Sequence, residues 1–236
     1  MHRAKWFKIE VDCAHKELVA SIRAAQFDGD VGYGFDLSFR DESQIRARFI
    51  EKIAIIETVT DPYGVSTDIE TTRYSSVNFK LHSFLKSGGI YFMEISSPPR
   101  SIRTFISALS DIANGVMVSE VDVPVLEVFG NFRKNSASAR LTRIKASQLK
   151  LTAESVARID VTSIKNAASD LRRIFGDGDM SVDKIRVERP FGPATHAIEL
   201  SRNGLVAVDD AFEDVASDFM LDLLMRHYRE MPVEDD

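Results

Sequence analysis

The sequence predicts an α+β fold, with mixed or mostly antiparallel sheets, packed helices and two ferredoxin-like lobes. Three observations carry this expectation. Strand-period segments recur along the whole chain, turn-forming pairs such as Asn203-Gly204 fold several of them back, and amphipathic helical stripes interrupt them in both halves. The implied organisation is an α+β lobe over residues 1–130, a basic joint over 131–140 and a second α+β lobe over 141–236. One continuous domain is the alternative.

Taken in order, "KWFKIEVD" reads as a first strand, and "HKELVASIRAA" places Leu18, Val19 and Ile22 at helical spacing. "VGYGFDLSF" is a strand. "RARFIEKIAIIETVT" is rich in β-branched residues and runs into "DPYG", so it reads as a long strand entering a hairpin. In "SVNFKLHSF", Val77, Phe79 and Leu81 alternate with Asn78, Lys80 and His82, the period of a half-buried strand.

"GGIYFMEISS", "SIRTFISALSDIANG" and "VMVSEVDVPVLEVFG" read as a β-α-β unit. Ile102, Phe105, Ile106, Leu109, Ile112 and Ala113 form its helical stripe, and Asn114-Gly115 is the left-handed stop. Pro124 lacks a ladder donor, which predicts an edge or a break in the last strand. Farther on, "TSIKNAASDLRRIFG" reads as a helix capped by Thr162 or Ser163, "VDKIRVERP" and "ATHAIELSRNGLVAVDD" as strands, and residues from about 211 to 229 as a final helix. Acids crowd that helix's start and Arg226, His227 and Arg229 its end, as the helix dipole favours. A helix end, a phenylalanine, a DGD turn and a strand occur twice, in "SIRAAQFDGDVGYGFDLSF" and "DLRRIFGDGDMSVDKIRVE". Duplication and the local preference of Asp-Gly for turns both account for this.

A chain of 236 residues with 44% hydrophobic and 28% charged residues reads as globular, with one large core or two modest ones. No apolar run approaches the roughly 20 residues that cross a bilayer, and "MHRAKWFKIEVD" lacks a signal-peptide core. Cys13 is the only cysteine, so an intrachain disulfide and a cysteine-based zinc site are both excluded. The expectation is a cytoplasmic protein without membrane contact.

The net charge of -6 conceals one segment of opposite sign. Residues 131–150, "NFRKNSASARLTRIKASQLK", hold six Lys or Arg and no Asp or Glu, so the remainder sums to -12. Arg133, Lys134, Arg140, Arg143, Lys145 and Lys150 are interleaved with Ser, Asn, Thr and Gln, the side chains that contact phosphate oxygens. Arg100 and Arg103, at the start of the helix after "SSPP", are candidates for the same surface, because cations at a helix N-terminus oppose its dipole. The same run also reads as a polar loop or solvated face, or as a docking strip for acids such as Asp209, Asp210, Glu213 and Asp214.

Motifs for specific chemistry are mostly missing. Asp177, Asp179, Ser181, Asp183 and Glu188 match an EF-hand count, but Val182 stands where the turn glycine belongs and a strand follows, so a solvated turn is the better reading. "DGDVGYG" lacks the G-x-G-x-x-G order, and there is no P-loop, no H-E-x-x-H and no nucleophile elbow. A metal-dependent nuclease or phosphodiesterase would have to draw on Glu94, Asp122 and Glu127. No cofactor is implied. The leading expectation is a non-catalytic binding or regulatory subunit contacting DNA or RNA through the basic segment. A structural or self-associating protein-interaction module, using sheet edges and the last helix, is the alternative, and the nuclease comes third.

Overall fold

The structure is a computed structural model, and it describes residues 1–84, 89–135, 138–150, 152, 154–176, 180–191 and 194–230. The elements run β1 (His2–Val11), α1 (His15–Ala24), β2 (Tyr33–Arg40), β3 (Gln44–Thr60), β4 (Ser66–Ser83), β5 (Ile90–Ser96), α2 (Arg103–Ile112) and β6 (Val116–Glu120). There follow α3 (Val125–Asn135), β7 (Arg140–Lys150), β8 (Val156–Thr162), α4 (Ala167–Phe175), β9 (Ser181–Phe191), β10 (Ala194–Ser201) and β11 (Leu205–Val208). A 3-10 turn over Asp210–Phe212 leads into α5 (Glu213–Glu230).

This architecture corrects the expected fold class. Among the described residues about half are strand and 27% are helix, and eleven strands form a large antiparallel sheet instead of packed α+β lobes of ferredoxin-like type. The physical reason lies in the connections. Short turns at residues 61–65 and 202–204 join strands that then pair with their sequence neighbours, so the chain builds meanders where ferredoxin-like lobes would need helical crossovers.

The chain divides into two compact units: Ile9–Val118, the hairpin unit, and Met1–Lys8 with Ser119–Asp236, the C-terminal unit. In the hairpin unit the ladder order is β2-β3-β4-β5, followed by the end of β1, where the Val11 N–H donates to Gly89 O at 2.7 Å. One face of this ladder is apolar. Ile45, Ala47 and Phe49 of β3 lie opposite Leu81, Phe79 and Val77 of β4, all buried. Phe105 of α2 packs on it, with ring centroids 4.8 Å from Phe79 and 5.7 Å from Phe49. The α1–β2 connection crosses so closely that a Cβ on Gly34 would lie 2.5 Å from Phe27 Cα, which makes glycine a steric requirement.

Beyond Glu51 and Ser75 the β3–β4 hairpin continues for nine more cross-strand pairs, from Lys52↔Tyr74 to Thr60↔Ser66. None of residues 52–74 is buried. Its tip is tied by Asp61, whose carboxylate accepts the N–H groups of Tyr63 and Val65 at 2.8 and 2.9 Å.

In the C-terminal unit the order is the start of β1, then β11, β10, β9, β7 and β8. Trp6, Leu141, Ile144, Ile185, Val187, Leu200, Val206, Met220 and Leu224 supply its core. The stretch expected as one strand from "VMVSE" to "LEVFG" divides instead: β6 ends at Glu120, and Pro124 precedes α3, accepting the Val128 N–H at 3.1 Å. The cap of α4 is Asn166, whose side chain accepts from the Ala168 and Ser169 N–H groups, while Ser163 closes a turn ahead of it. Thr162 belongs to β8. The repeated helix-to-strand phrase spans α1–β2 and α4–β9, with 177–179 outside the described residues. The sheet environments differ: β2 pairs only with β3 in the ladder order, whereas β9 lies between β7 and β10. The likeness does not extend to the topology.

Candidate nucleic-acid interface

The basic segment spans the end of α3 and all of β7. On β7, residues Ile144, Ala146 and Leu149 are buried, and across the ladder Ile185 and Val187 of β9 share that inner face. Pleating therefore turns Arg143 and Lys145 to the opposite face. There they meet cations from β9: Arg143 lies directly opposite Arg186, and Lys145 directly opposite Lys184.

Three acids bracket this quartet, Asp160 and Glu199 on the two flanking strands and Glu188 on β9 itself. Asp160 of β8 accepts from Arg143 Nε at 2.7 Å and pairs with Arg143 Nη2 and, at 3.4 Å, Lys145 Nζ. Glu199 of β10 pairs with Lys184 and, at 3.3 Å, with Arg186 Nη1, and Glu188 accepts from Arg186 Nε at 3.1 Å. The cations keep 43%, 47%, 32% and 38% of their side-chain exposure in the order Arg143, Lys145, Lys184, Arg186, so solvent and ligands still reach them.

The fields act on the acids as expected. The Arg143 hydrogen bonds hold the Asp160 carboxyl below the usual carboxylate range, and the pair raises Arg143 in turn. Burial pushes Glu199 up, but Lys184 and Arg186 outweigh it and leave it below its ordinary value. Register shifts on either side of Arg143 and Lys145, together with Gln148 at φ +55°, mark β7 as a bulged strand.

The other candidates fall outside the quartet. Arg140 is exposed opposite Glu188, on the same face as Arg186 two residues along β9, and Lys150 is exposed at the end of β7 opposite Val156. Arg133 and Lys134 belong to α3, and their side chains lie outside the described residues. Arg100 precedes α2 and Arg103 opens it, both exposed and both in the hairpin unit. Reading the segment alone misses Lys184 and Arg186, although "DKIRVER" carries them at the i, i+2 spacing that puts two side chains on one strand face.

The carboxylates considered for metal chemistry are separately engaged. Glu94, buried on β5, pairs with Lys80 Nζ at 3.2 Å, opposite it in the β4–β5 ladder, and lies 3.8 Å from His82 Nε2. Asp122 accepts a two-pronged contact from Arg202 at 2.6 and 3.2 Å, which holds its carboxyl below the ordinary range. Glu127 lies in the first turn of α3. Among the described residues no three His, Cys, Asp or Glu side chains converge on a metal-sized site. In the EF-hand count, Asp177 and Asp179 lie outside the described residues, and Ser181, Asp183 and Glu188 are on β9. No described helix is long and apolar enough to cross a membrane.

No protein-family model matches the chain, and no curated protein matches it.

Proposed function

We propose that this chain is a non-catalytic binding subunit that contacts the phosphate backbone of a nucleic acid through the outer face of β7 and β9. The observation supporting this reading is the pairing of like charges, Arg143 with Arg186 and Lys145 with Lys184, directly across one ladder. Such pairs destabilise a sheet, and four cations outnumber the three acids that bracket them. A phosphate backbone laid along the strands supplies the missing negative charge, with successive cations on one strand spaced by about 6.6 Å.

The test is duplex and single-stranded nucleic-acid binding at two salt concentrations, with and without magnesium. Log affinity should fall linearly with log salt, and Lys145→Ala with Lys184→Ala should lower the slope by roughly 0.9 per lost duplex phosphate contact. Affinity indifferent to both salt and these substitutions would sink the reading.

A second reading, a self-associating or partner-binding module, is favoured by the extended β3–β4 hairpin. It exposes Ile53, Ile56, Val59, Tyr63, Val65, Ile69 and Tyr74, and its acids Glu57, Asp61, Asp68 and Glu70 outnumber Lys52 and Arg73. That chemistry suits a protein surface better than a phosphate backbone. Sedimentation over a range of concentrations separates a self-associating chain from a monomer.

A further inference from the structure

The inner side of the C-terminal sheet holds a cavity of about 230 Å³ between β9, β10, β11 and the start of α5. Its walls are Val187, Ile198, Val208, Phe212 and Phe219, with Val215 of α5 standing 65% exposed. Two polar side chains line it, Arg189 and His196. They lie directly opposite each other in the β9–β10 ladder, and Val187 and Ile198 form the next pair on the same face. Thus the lining changes from cationic to apolar over about 6.6 Å of strand.

The polar end is organised. His196 Nδ1 meets Asp209 Oδ2 at 2.9 Å, and the imidazole stands edge-on to Phe212 at 4.6 Å between centroids. Arg189 makes no ion pair with an acid among the described residues. An apolar chamber with one guanidinium at its end selects a particular ligand chemistry. The guanidinium fork matches a carboxylate in two parallel hydrogen bonds, while the walls accept a compact hydrocarbon or aromatic body. A phosphate would need more donors than this lining provides.

We propose that this cavity binds a small apolar carboxylic acid, with its carboxylate on Arg189 and its hydrocarbon body against Ile198, Val208, Phe212 and Phe219. The site is on the opposite sheet face from the cation quartet and does not depend on nucleic-acid binding. The probes are phenylacetate, isovalerate and octanoate, followed by ligand-observed NMR and calorimetry on the full chain, with phenylacetamide as the uncharged control. At least one acid should bind, phenylacetamide should bind about tenfold more weakly than phenylacetate where that is the acid bound, and Arg189→Gln should cost a similar factor. Val215→Trp, at an exposed position where folding is spared, should block entry of the acid, and Arg143→Ala should leave binding unchanged. No binding of any acid at about 10 mM, equal affinity for the amide, or full affinity in both Arg189→Gln and Val215→Trp would overturn the assignment.

Discussion

Lys145 of β7 lies directly opposite Lys184 of β9, and each is tied outward to an acid on the next strand, Asp160 on one side and Glu199 on the other. The acid–cation–cation–acid row places the repulsion at its centre and the compensation at its flanks. A ligand anion seated at the centre relieves the repulsion without displacing either acid.

Asp160→Asn removes the charge that both Arg143 and Lys145 contact. Nucleic-acid affinity at low salt should rise and its salt dependence steepen, because cations now engaged by a carboxylate become available to phosphates. The check is fluorescence anisotropy across a salt series, and unchanged or weaker binding contradicts the expectation.

Acid should destabilise the fold through a defined set of carboxyls. Asp122 is held low by its Arg202 hydrogen bonds, and Asp41 by the N–H groups of Ser43 and Gln44. A carboxyl whose folded value is depressed contributes stability above its unfolded value, and that contribution disappears as pH falls through the folded value. Urea midpoints should therefore be flat from about pH 7 to pH 5 and drop below about pH 4. Asp122→Asn should start lower and show a shallower acid drop.

Tyr91 is pushed up to about 12, first by burial and then by the charge of Cys13, and its hydroxyl lies 3.2 Å from His15 Nδ1. For a group raised in the fold, stability is complete below the unfolded value near 10 and falls as pH rises toward the folded one. Absorbance titration at alkaline pH should show one tyrosine ionising after the others, and Tyr91→Phe should remove that late phase.

Gly34 and Gly29 are a contrasting pair in the α1–β2 region. Gly34→Ala forces a Cβ against backbone atoms of Gln26 and Phe27 and should cost about 1–3 kcal/mol or more. A Cβ on Gly29 meets nothing within 4 Å, so Gly29→Ala should be neutral or stabilise by about 0.4–1 kcal/mol. Chemical denaturation of both variants measures the difference.

Replacing residues 53–73 by an Asn-Gly turn removes no buried side chain and keeps the Lys52↔Tyr74 pair, in which the Lys52 N–H donates to Gly32 O at 2.7 Å and the Tyr74 ring stands 6.0 Å from that of Phe27. The shortened chain should retain its urea midpoint. If the hairpin mediates association, its sedimentation coefficient should become independent of concentration where that of the full chain is not.

Much of the local structure was legible in the sequence. The alternation around Val77, Phe79 and Leu81, the stripe through Phe105 and Leu109 and the turn at Asn203-Gly204 all correspond to observed elements. These signals are local, set by the two-residue and 3.6-residue periods and by which residues tolerate a left-handed backbone. Pro124 marks the break that its missing ladder donor predicts, while the segment after it, read as strand, is the helix α3, because the same residue also suits the lead into a helix.

Residue order alone establishes where cations concentrate, which strand period they follow and how the net charge divides. It could not determine their partners. Asp160 reaches Arg143 from 17 residues away across the β7–β8 ladder, and Arg202, in the turn between β10 and β11, reaches Asp122, in the connection between β6 and α3, from 80. Strand order had the same dependence, since a helix followed by a strand is common to crossovers and meanders alike. The tertiary structure decided for the meander, and with it the placement of Lys184 and Arg186 beside β7, because register is a property of pairs of strands and each strand's sequence specifies only its own faces.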